Sequence, residues 1–290
     1  MTDREAARIE FERVLAEYLS GYETGVPDMM TPMRYAITNG GKRIRPILSY
    51  FGAEFCGKSA QDVQNIALAI EMIQSYSLVH DDLPCMDNDT MRRGKPTVHI
   101  AYGENVAVLA GDGLLTMAFE AALDARYCNA YTARAVAYLA RAAGADGMIG
   151  GQYIDISDHT DRDYGLQDVT AMYRRKTGAL LRAALCASAI QCGASETELA
   201  DLERYASDLG MVFQITDDIL DITASAQQLG KDVGRDADLG RRTYAQIVGL
   251  DRAREDVRAY ADRAIQTIEK YGARAEKLIA LCRELTTRAY

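Results

Sequence analysis

Tryptophan is absent from this 290-residue chain, and histidine is nearly so, with only His80, His99 and His159. A chemistry that needs several imidazoles is therefore disfavoured. The six cysteines, Cys56, Cys85, Cys128, Cys186, Cys192 and Cys282, form no C-x-x-C pair and have no histidine at zinc spacing, so they read as reduced thiols within helices. No apolar run reaches the ~18 residues of a membrane span. The amino-terminal MTDREAARIEFERV is charged throughout and carries no signal-peptide pattern. A cytoplasmic protein with no transmembrane segment is expected. Excess positive charge is missing as well: the net charge of -9 argues against nucleic acid as a partner, since phosphate-backbone binders show clustered basic faces. Local basic groups must then be read as sites.

Proline is scarce and confined. All five, Pro27, Pro32, Pro46, Pro84 and Pro96, fall in the first third, and nearly two hundred residues follow without one. Long helices are favoured there. Apolar residues recur at helical spacing, as in Ile66, Ile70 and Ile73, with the small Ser77 next in the row, whereas period-two alternation is hard to find. Ser59 with Asp62, and Ser195 with Glu198, have the spacing of capping boxes. Gly40-Gly41, Gly150-Gly151 and the span from Gly230 to Gly240 read as turns or loops. Without a linker or short repeat, an all-α protein built as one domain over residues 1–290 is expected.

What the chain does have is carboxylate in unusual density. The stretch LVHDDLPCMDNDTMRRGKP, residues 78–96, sets Asp81, Asp82, Asp87 and Asp89 beside Arg92 and Arg93. Pro84 disfavours helical geometry at Leu83, so the helix ends at the aspartate pair and the chain can bring Asp87 back beside it. In FQITDDILD, residues 213–221, Gln214, Asp217, Asp218 and Asp221 fall at i, i+3, i+4 and i+7, one polar stripe on an otherwise apolar helix. A lone DD is ordinarily a solvated face. Here the flanks are apolar and the arrangement occurs twice, so the carboxylates are expected to face one another across a cavity as a hard-oxygen site suited to Mg²⁺. Basic residues stand in loop or Gly-containing segments: Lys42, Arg43 and Arg45 in NGGKRIRP, Lys176 and Thr177 in RRKTG, and Lys231 in LGKDVG. Guanidinium and ammonium groups so placed suit phosphate oxygens. His80, next to the first pair, reads as a structural histidine.

The series GGKRIRP, DDLPCMDNDTMRRG, GGQYID, KTGALLRAA, FQITDDILD and LGKDVGRD resembles the trans-prenyltransferases, the short-chain isoprenyl diphosphate (polyprenyl) synthetase family, and within it the bacterial farnesyl diphosphate synthase type. The resemblance covers almost the whole chain. It implies an isoprenoid-synthase type of fold, a single large helical bundle with a central catalytic cavity, and a homodimer. The implied reaction is a Mg²⁺-dependent head-to-tail condensation of isopentenyl diphosphate with dimethylallyl or geranyl diphosphate. Asp81, Asp87 and Asp217, helped by Asp82 and Asp221, would hold a trinuclear Mg²⁺ cluster on the allylic diphosphate. Arg92, Lys176, Thr177, Gln214 and Lys231 would bind that diphosphate, with Arg241 where the family commonly has lysine. Lys42, Arg45, Gln74 and Arg93 would hold isopentenyl diphosphate.

The product floor is expected near Tyr76 and Ser77. Tyr76 precedes Asp81 by five residues, roughly 7 to 8 Å along a helix axis. In the family a bulky aromatic there goes with C15 products and a smaller residue with C20. Farnesyl diphosphate is the expected product and geranylgeranyl diphosphate the alternative. A terpene cyclase would need only one diphosphate site, and a non-catalytic partner subunit would be expected to have lost aspartates.

Overall fold

The computed structural model describes residues 1–157, 165–227 and 243–287, the side chains of 224–227 excepted. Among the described residues the protein is all-α apart from one short hairpin. The chain divides into two compact units, Met1–Leu139 with Ala183–Ala194, and Ala140–Arg182 with Ser195–Tyr290.

The first unit contains α1 (Asp3–Gly21), α2 (Pro27–Thr38), α3 (Ile44–Phe55), a 3-10 turn (Ala60–Val63), α4 (Gln64–Asp81), α5 (Val98–Tyr102), α6 (Glu104–Ala122) and most of α7 (Thr132–Ala143). Its centre is α4, which packs chiefly on α6 and also on α3. The row Ile66, Ile70 and Ile73 is fully buried, and each such side chain contributes about 1.5–3 kcal/mol relative to exposure. Asn65 and Glu71, from other faces of the same helix, are buried too, so α4 is an interior helix with little solvated surface. Its buried Asn65 is satisfied, donating to the Ala122 carbonyl at 2.8 Å and accepting from Gln191 at 2.6 Å. The Ser59–Asp62 capping box is present and opens the 3-10 turn that leads into α4.

α4 runs to Asp81, as the position of Pro84 requires. Between α4 and α5 lies the hairpin β1 (Met91–Arg92) and β2 (Lys95–Pro96). Its two central residues, Arg93 and Gly94, both have positive φ, 52° and 77°, the pattern of a type I′ turn whose twist suits paired strands. Period-two patterning could not reveal two strands of two residues each.

The second unit contains α8 (Met148–Ile156), α9 (Leu166–Lys176), the opening of α10 (Gly178–Gln191), α11 (Glu196–Gln227), α12 (Tyr244–Val248), α13 (Leu250–Ile268), a 3-10 turn (Glu269–Ala275) and α14 (Glu276–Thr287). The expected box opens α11: Ser195 N donates to Glu198 at 2.9 Å and Glu198 N to the Ser195 hydroxyl at 3.3 Å. α11 packs along α13, and α8 against α9. One expectation is corrected here. Gly150 and Gly151 are not a turn but lie inside α8. A Cβ on Gly151 would sit 2.1 Å from the Lys176 backbone nitrogen, so glycine is needed for helix contact, not for chain reversal. The loop expected from Gly230 to Gly240 lies outside the described residues.

Candidate active site

In the first unit the chain doubles back on the end of α4. Asp87 N donates to the Asp81 carbonyl at 2.8 Å, Asp89 N to the Asp82 carbonyl at 3.1 Å, and Asn88, at φ 53°, to the Leu83 carbonyl at 3.1 Å. Asp87 thus returns beside Asp81, and both side chains stay partly exposed.

Asp82 turns inward. It is 2% exposed, and Arg92 Nε donates to both of its oxygens at 2.7 and 2.9 Å, with a further Arg92 nitrogen at 2.5 Å. Desolvation pushes the Asp82 carboxyl above the usual carboxylate range, and the Arg92 hydrogen bonds oppose that rise. The pair is a buried fork that fixes the hairpin to the helix end. Arg92 also stands 3.5 Å from Asp89.

Arg93, at the hairpin tip, donates to the Gly40 carbonyl. Its guanidinium lies against Gly41, where a Cβ would come within 2.7 Å of it, and Gly41 also has φ 130°. The adjacent glycines let this loop pass beneath an arginine. Asn39 completes the tie, donating to the Arg92 carbonyl at 3.1 Å. Burial lowers the Arg93 guanidinium from its ordinary value, and the neighbouring arginines add to that. Arg45 is pushed down to about 10 by desolvation, with the Arg93 charge adding and Glu71 opposing, and its Nε is shielded from solvent with no hydrogen-bond partner. Arg45 and Arg93 are thus like charges near one another in a partly dry site, an arrangement that suits an anion. Lys42 is exposed beside them and Gln74 is half-buried on α4.

Arg43 is different. Read by sequence with Lys42 and Arg45 as suited to phosphate, it points inward, donating to Glu71 at 2.6 Å, to Glu12 at 2.9 Å and to the Ile37 carbonyl at 2.8 Å. It has a left-handed φ of 51° at the start of α3 and a fully buried side chain. Arg43 is a core residue.

Tyr76 is buried, its ring edge-on to His80 with centroids 5.8 Å apart, and its hydroxyl has no hydrogen-bond partner. Desolvation, with the nearby Asp81 charge, pushes that phenol up to about 12. His80 Nε2 lies 3.1 Å from the Val108 carbonyl, so His80 is held on α6. The Ser77 hydroxyl donates back to the Gln74 carbonyl at 3.0 Å.

In the second unit, α11 buries Met211, Val212, Ile215, Thr216 and Ile219, leaving Gln214, Asp217 and Asp218 intermediate and Asp221 exposed. This is the polar stripe the spacing predicts. Asp218 nevertheless has inward partners: Tyr173, on α9, donates to its two oxygens at 2.9 Å each, and Ala245 N donates at 3.4 Å. Desolvation raises the Asp218 carboxyl to about 7 against these hydrogen bonds, with Asp221 adding to the rise. Lys176 closes α9, and its Nζ donates to Asp155 on α8 at 2.6 Å. Thr177 caps the same helix, its N donating to the Tyr173 carbonyl at 3.3 Å. Lys231 and Arg241 lie outside the described residues.

Sequence reasoning passed over Asn39, Asp155 and Tyr173. Asp155 had a signal, since it closes the GGQYID segment. Tyr173 had none, because a tyrosine three residues before a lysine is unremarkable until its partner on another helix is known.

Among the described residues no group of three or more His, Cys, Asp or Glu side chains forms a ready ligand set. A hard cation that binds one or two carboxylates and completes its octahedron with water and phosphate needs none. Asp81 with Asp87, and Asp217 with Asp221 at i and i+4, are oxygen-only donors on partly or fully exposed residues, and they fit such an ion. Asp82 and Asp218 fit less well, since their oxygens already accept hydrogen bonds.

A family model for polyprenyl synthetases matches residues 26–282. The chain is 42% identical over 252 residues to the chloroplastic geranylgeranyl pyrophosphate synthase of Capsicum annuum, covering 86% of this chain and 68% of that protein. Among solved structures it is similar to an FPP/GFPP synthase from Zymomonas mobilis, with 35% identity, a TM-score of 0.85, and coverage of 98% of this chain and 97% of that one. A geranyltransferase from Legionella pneumophila gives 30% identity and a TM-score of 0.86, covering 98% and 96%. Among the described residues no helix is long and apolar enough to cross a membrane.

Proposed function

The chain belongs to the polyprenyl synthetase family, and from that membership we propose that it elongates prenyl chains. It joins isopentenyl diphosphate head to tail to dimethylallyl and then geranyl diphosphate, and stops at farnesyl diphosphate. The family match runs through both units, which supports treating residues 1–290 as one catalytic domain.

The observation that carries this reading is the nearness of two like charges, Arg45 and the Arg93 held at Gly40-Gly41, in a different unit from Lys176. Two sets of cations suit two diphosphates, and elongation needs two where a cyclase needs one. An allylic diphosphate ionises when fixed positive groups stabilise the charge gathering on its leaving oxygens. In this proposal Arg92, Lys176, Thr177, Gln214, Lys231 and Arg241 hold that diphosphate. Mg²⁺, held by Asp81, Asp87, Asp217 and Asp221, would supply further charge neutralisation. Asp82 orients Arg92. Lys42, Arg45, Gln74 and Arg93 hold the acceptor so that its double bond meets the allylic cation. Few histidines are at hand, so the final proton leaves to the released diphosphate. The test is a Mg²⁺-dependent assay with isopentenyl diphosphate and each allylic partner, the dephosphorylated products being separated by chromatography. Farnesol is expected, and no condensation by folded protein would overturn the reading.

Product length rests on Tyr76, a buried ring five residues before Asp81. Tyr76→Ala is expected to shift the main product to C20 or longer, and an unchanged C15 profile would place the floor elsewhere. The curated relatives named as geranylgeranyl synthases support the second reading, a C20 product from the wild type, which the same chromatogram distinguishes.

We also propose a homodimer. Ile100 on α5 and Val108 and Leu109 on α6 are 52%, 41% and 55% exposed on the first unit, an apolar face that a second copy would cover. Light scattering is expected to give twice the chain mass, and Leu109→Glu to shift the population toward monomer. A monomeric wild type would remove the dimer.

A further inference from the structure

The two neighbouring aspartates of the second acidic segment do different work. Asp217 and Asp221 lie on the accessible stripe of α11, while Asp218 is engaged by Tyr173, at 2.9 Å to each oxygen, and by Ala245 N at 3.4 Å. Tyr173 is itself buried, and its hydroxyl accepts from Tyr244 N at 3.4 Å. Three segments of the second unit therefore meet at one carboxylate: α11, the last turn of α9 and the first turn of α12.

The last turn of α9 carries Lys176, one helical turn beyond Tyr173. Two further contacts confine that turn. Asp155 accepts from Lys176 Nζ at 2.6 Å, and a Cβ on Gly210 of α11 would stand 3.2 Å from the Gly178 backbone, so α11 approaches the K-T-G segment closely. The glycine contact sets how near the helices come but leaves rotation of α9 about its own axis open. A directed bond from a ring hydroxyl to a carboxylate restrains that rotation.

We propose that the Tyr173–Asp218 pair is a latch that sets Lys176 in register with Asp217 and Asp221, which makes both partners positioning residues of the prenyl transfer and not ligands of metal or substrate. The inference rests on the proposed diphosphate-binding role of Lys176. Groups that orient a ligand from behind are worth about 10- to 100-fold in affinity or activity when removed.

The test uses the full chain and two conservative variants, Tyr173→Phe, which keeps the ring and loses the donor, and Asp218→Asn, which keeps the shape and can still accept from Tyr173. Titration calorimetry with inorganic pyrophosphate and Mg²⁺ gives affinity without turnover, and steady-state kinetics give KM for each substrate and the Mg²⁺ concentration for half-activation. For Tyr173→Phe the expected result is about tenfold weaker pyrophosphate binding and a matching rise in the allylic KM. The KM for isopentenyl diphosphate and the Mg²⁺ half-activation should stay as in the wild type. Asp218→Asn should lose less, because the tyrosine bond survives. A Mg²⁺ half-activation displaced as far as in Asp217→Asn would make Asp218 a metal ligand and overturn the latch. Unchanged pyrophosphate affinity in Tyr173→Phe, or equal losses for both substrates with a lowered melting temperature, would overturn it too. A wild type that binds no pyrophosphate would instead defeat the diphosphate site on which the inference stands.

Discussion

Replacing Asp217 by alanine is expected to lower kcat by at least about 10²–10³-fold, the loss typical when a fixed electrostatic contributor to a charged transition state is removed. Helix content should be unchanged. Asp217 sits on the partly exposed stripe of α11, whose buried face is made by Val212, Ile215, Thr216 and Ile219, and alanine is the better helix former. Asp81→Ala makes the same prediction from the first unit, with an added sign. Asp81 and its cap residue Asp82 stand at the carboxy-terminal end of α4, where exposed carbonyls make a carboxylate unfavourable. Removing Asp81 should therefore leave the melting temperature equal to or slightly above that of the wild type while activity falls. Activity measured against Mg²⁺, circular dichroism at helix wavelengths and a thermal melt check both variants together. Near-normal turnover in either would defeat the metal assignment, and loss of helix would show that the carboxylate was structural.

The second large effect concerns folding. Glu71→Ala is expected to destabilise the protein by about 3 kcal/mol, because removing one member of a buried ion pair leaves the other charge uncompensated. Arg43 has a fully buried side chain, and its bond to Glu71 is 2.6 Å long. Glu12 and the Ile37 carbonyl remain as partners, but Glu12 is 37% exposed and solvent weakens its share. Glu71 also opposes the lowered basicity of Arg45 and Arg93, but with Arg45 lowered only to about 10 it stays charged near neutral pH, so loss of the Glu71 charge is not expected to weaken isopentenyl diphosphate binding where the variant stays folded. Glu71→Gln, which keeps a hydrogen-bond acceptor and the volume, should lose less stability. Urea unfolding measures both variants, and a Glu71→Ala midpoint within error of the wild type would show that Glu12 alone satisfies Arg43.

Much of the fold was legible because its signals are local. The Ser59–Asp62 and Ser195–Glu198 boxes are fixed by spacing and both are formed. The end of α4 at Asp81 follows from Pro84, two residues past its cap residue Asp82, and the return of Asp87 from the chain reversal that this proline begins. The Gln214 to Asp221 stripe needs only the helical period. Gly150-Gly151 misled because glycine has two uses, turn and close approach, and residue identity does not say which applies. The contact that decides it, the Lys176 backbone, lies 25 residues further along the chain.

By itself, the sequence determined the all-α class, the two acidic segments and the polyprenyl synthetase family, since helical period, capping and motif spacing are properties of neighbours along the chain. It could not sort the members of each segment. Asp81 and Asp82 are adjacent, as are Asp217 and Asp218, and Lys42, Arg43 and Arg45 fall within four residues of one another. Only the tertiary structure decided that Asp82 takes Arg92, that Asp218 takes Tyr173 and that Arg43 takes Glu71, leaving Asp81, Asp217 and Lys42 partly or fully exposed. The reason is the cost of burying charge: a carboxylate or guanidinium turned inward must find its counterpart on another element, and which element supplies it is settled only when the helices pack.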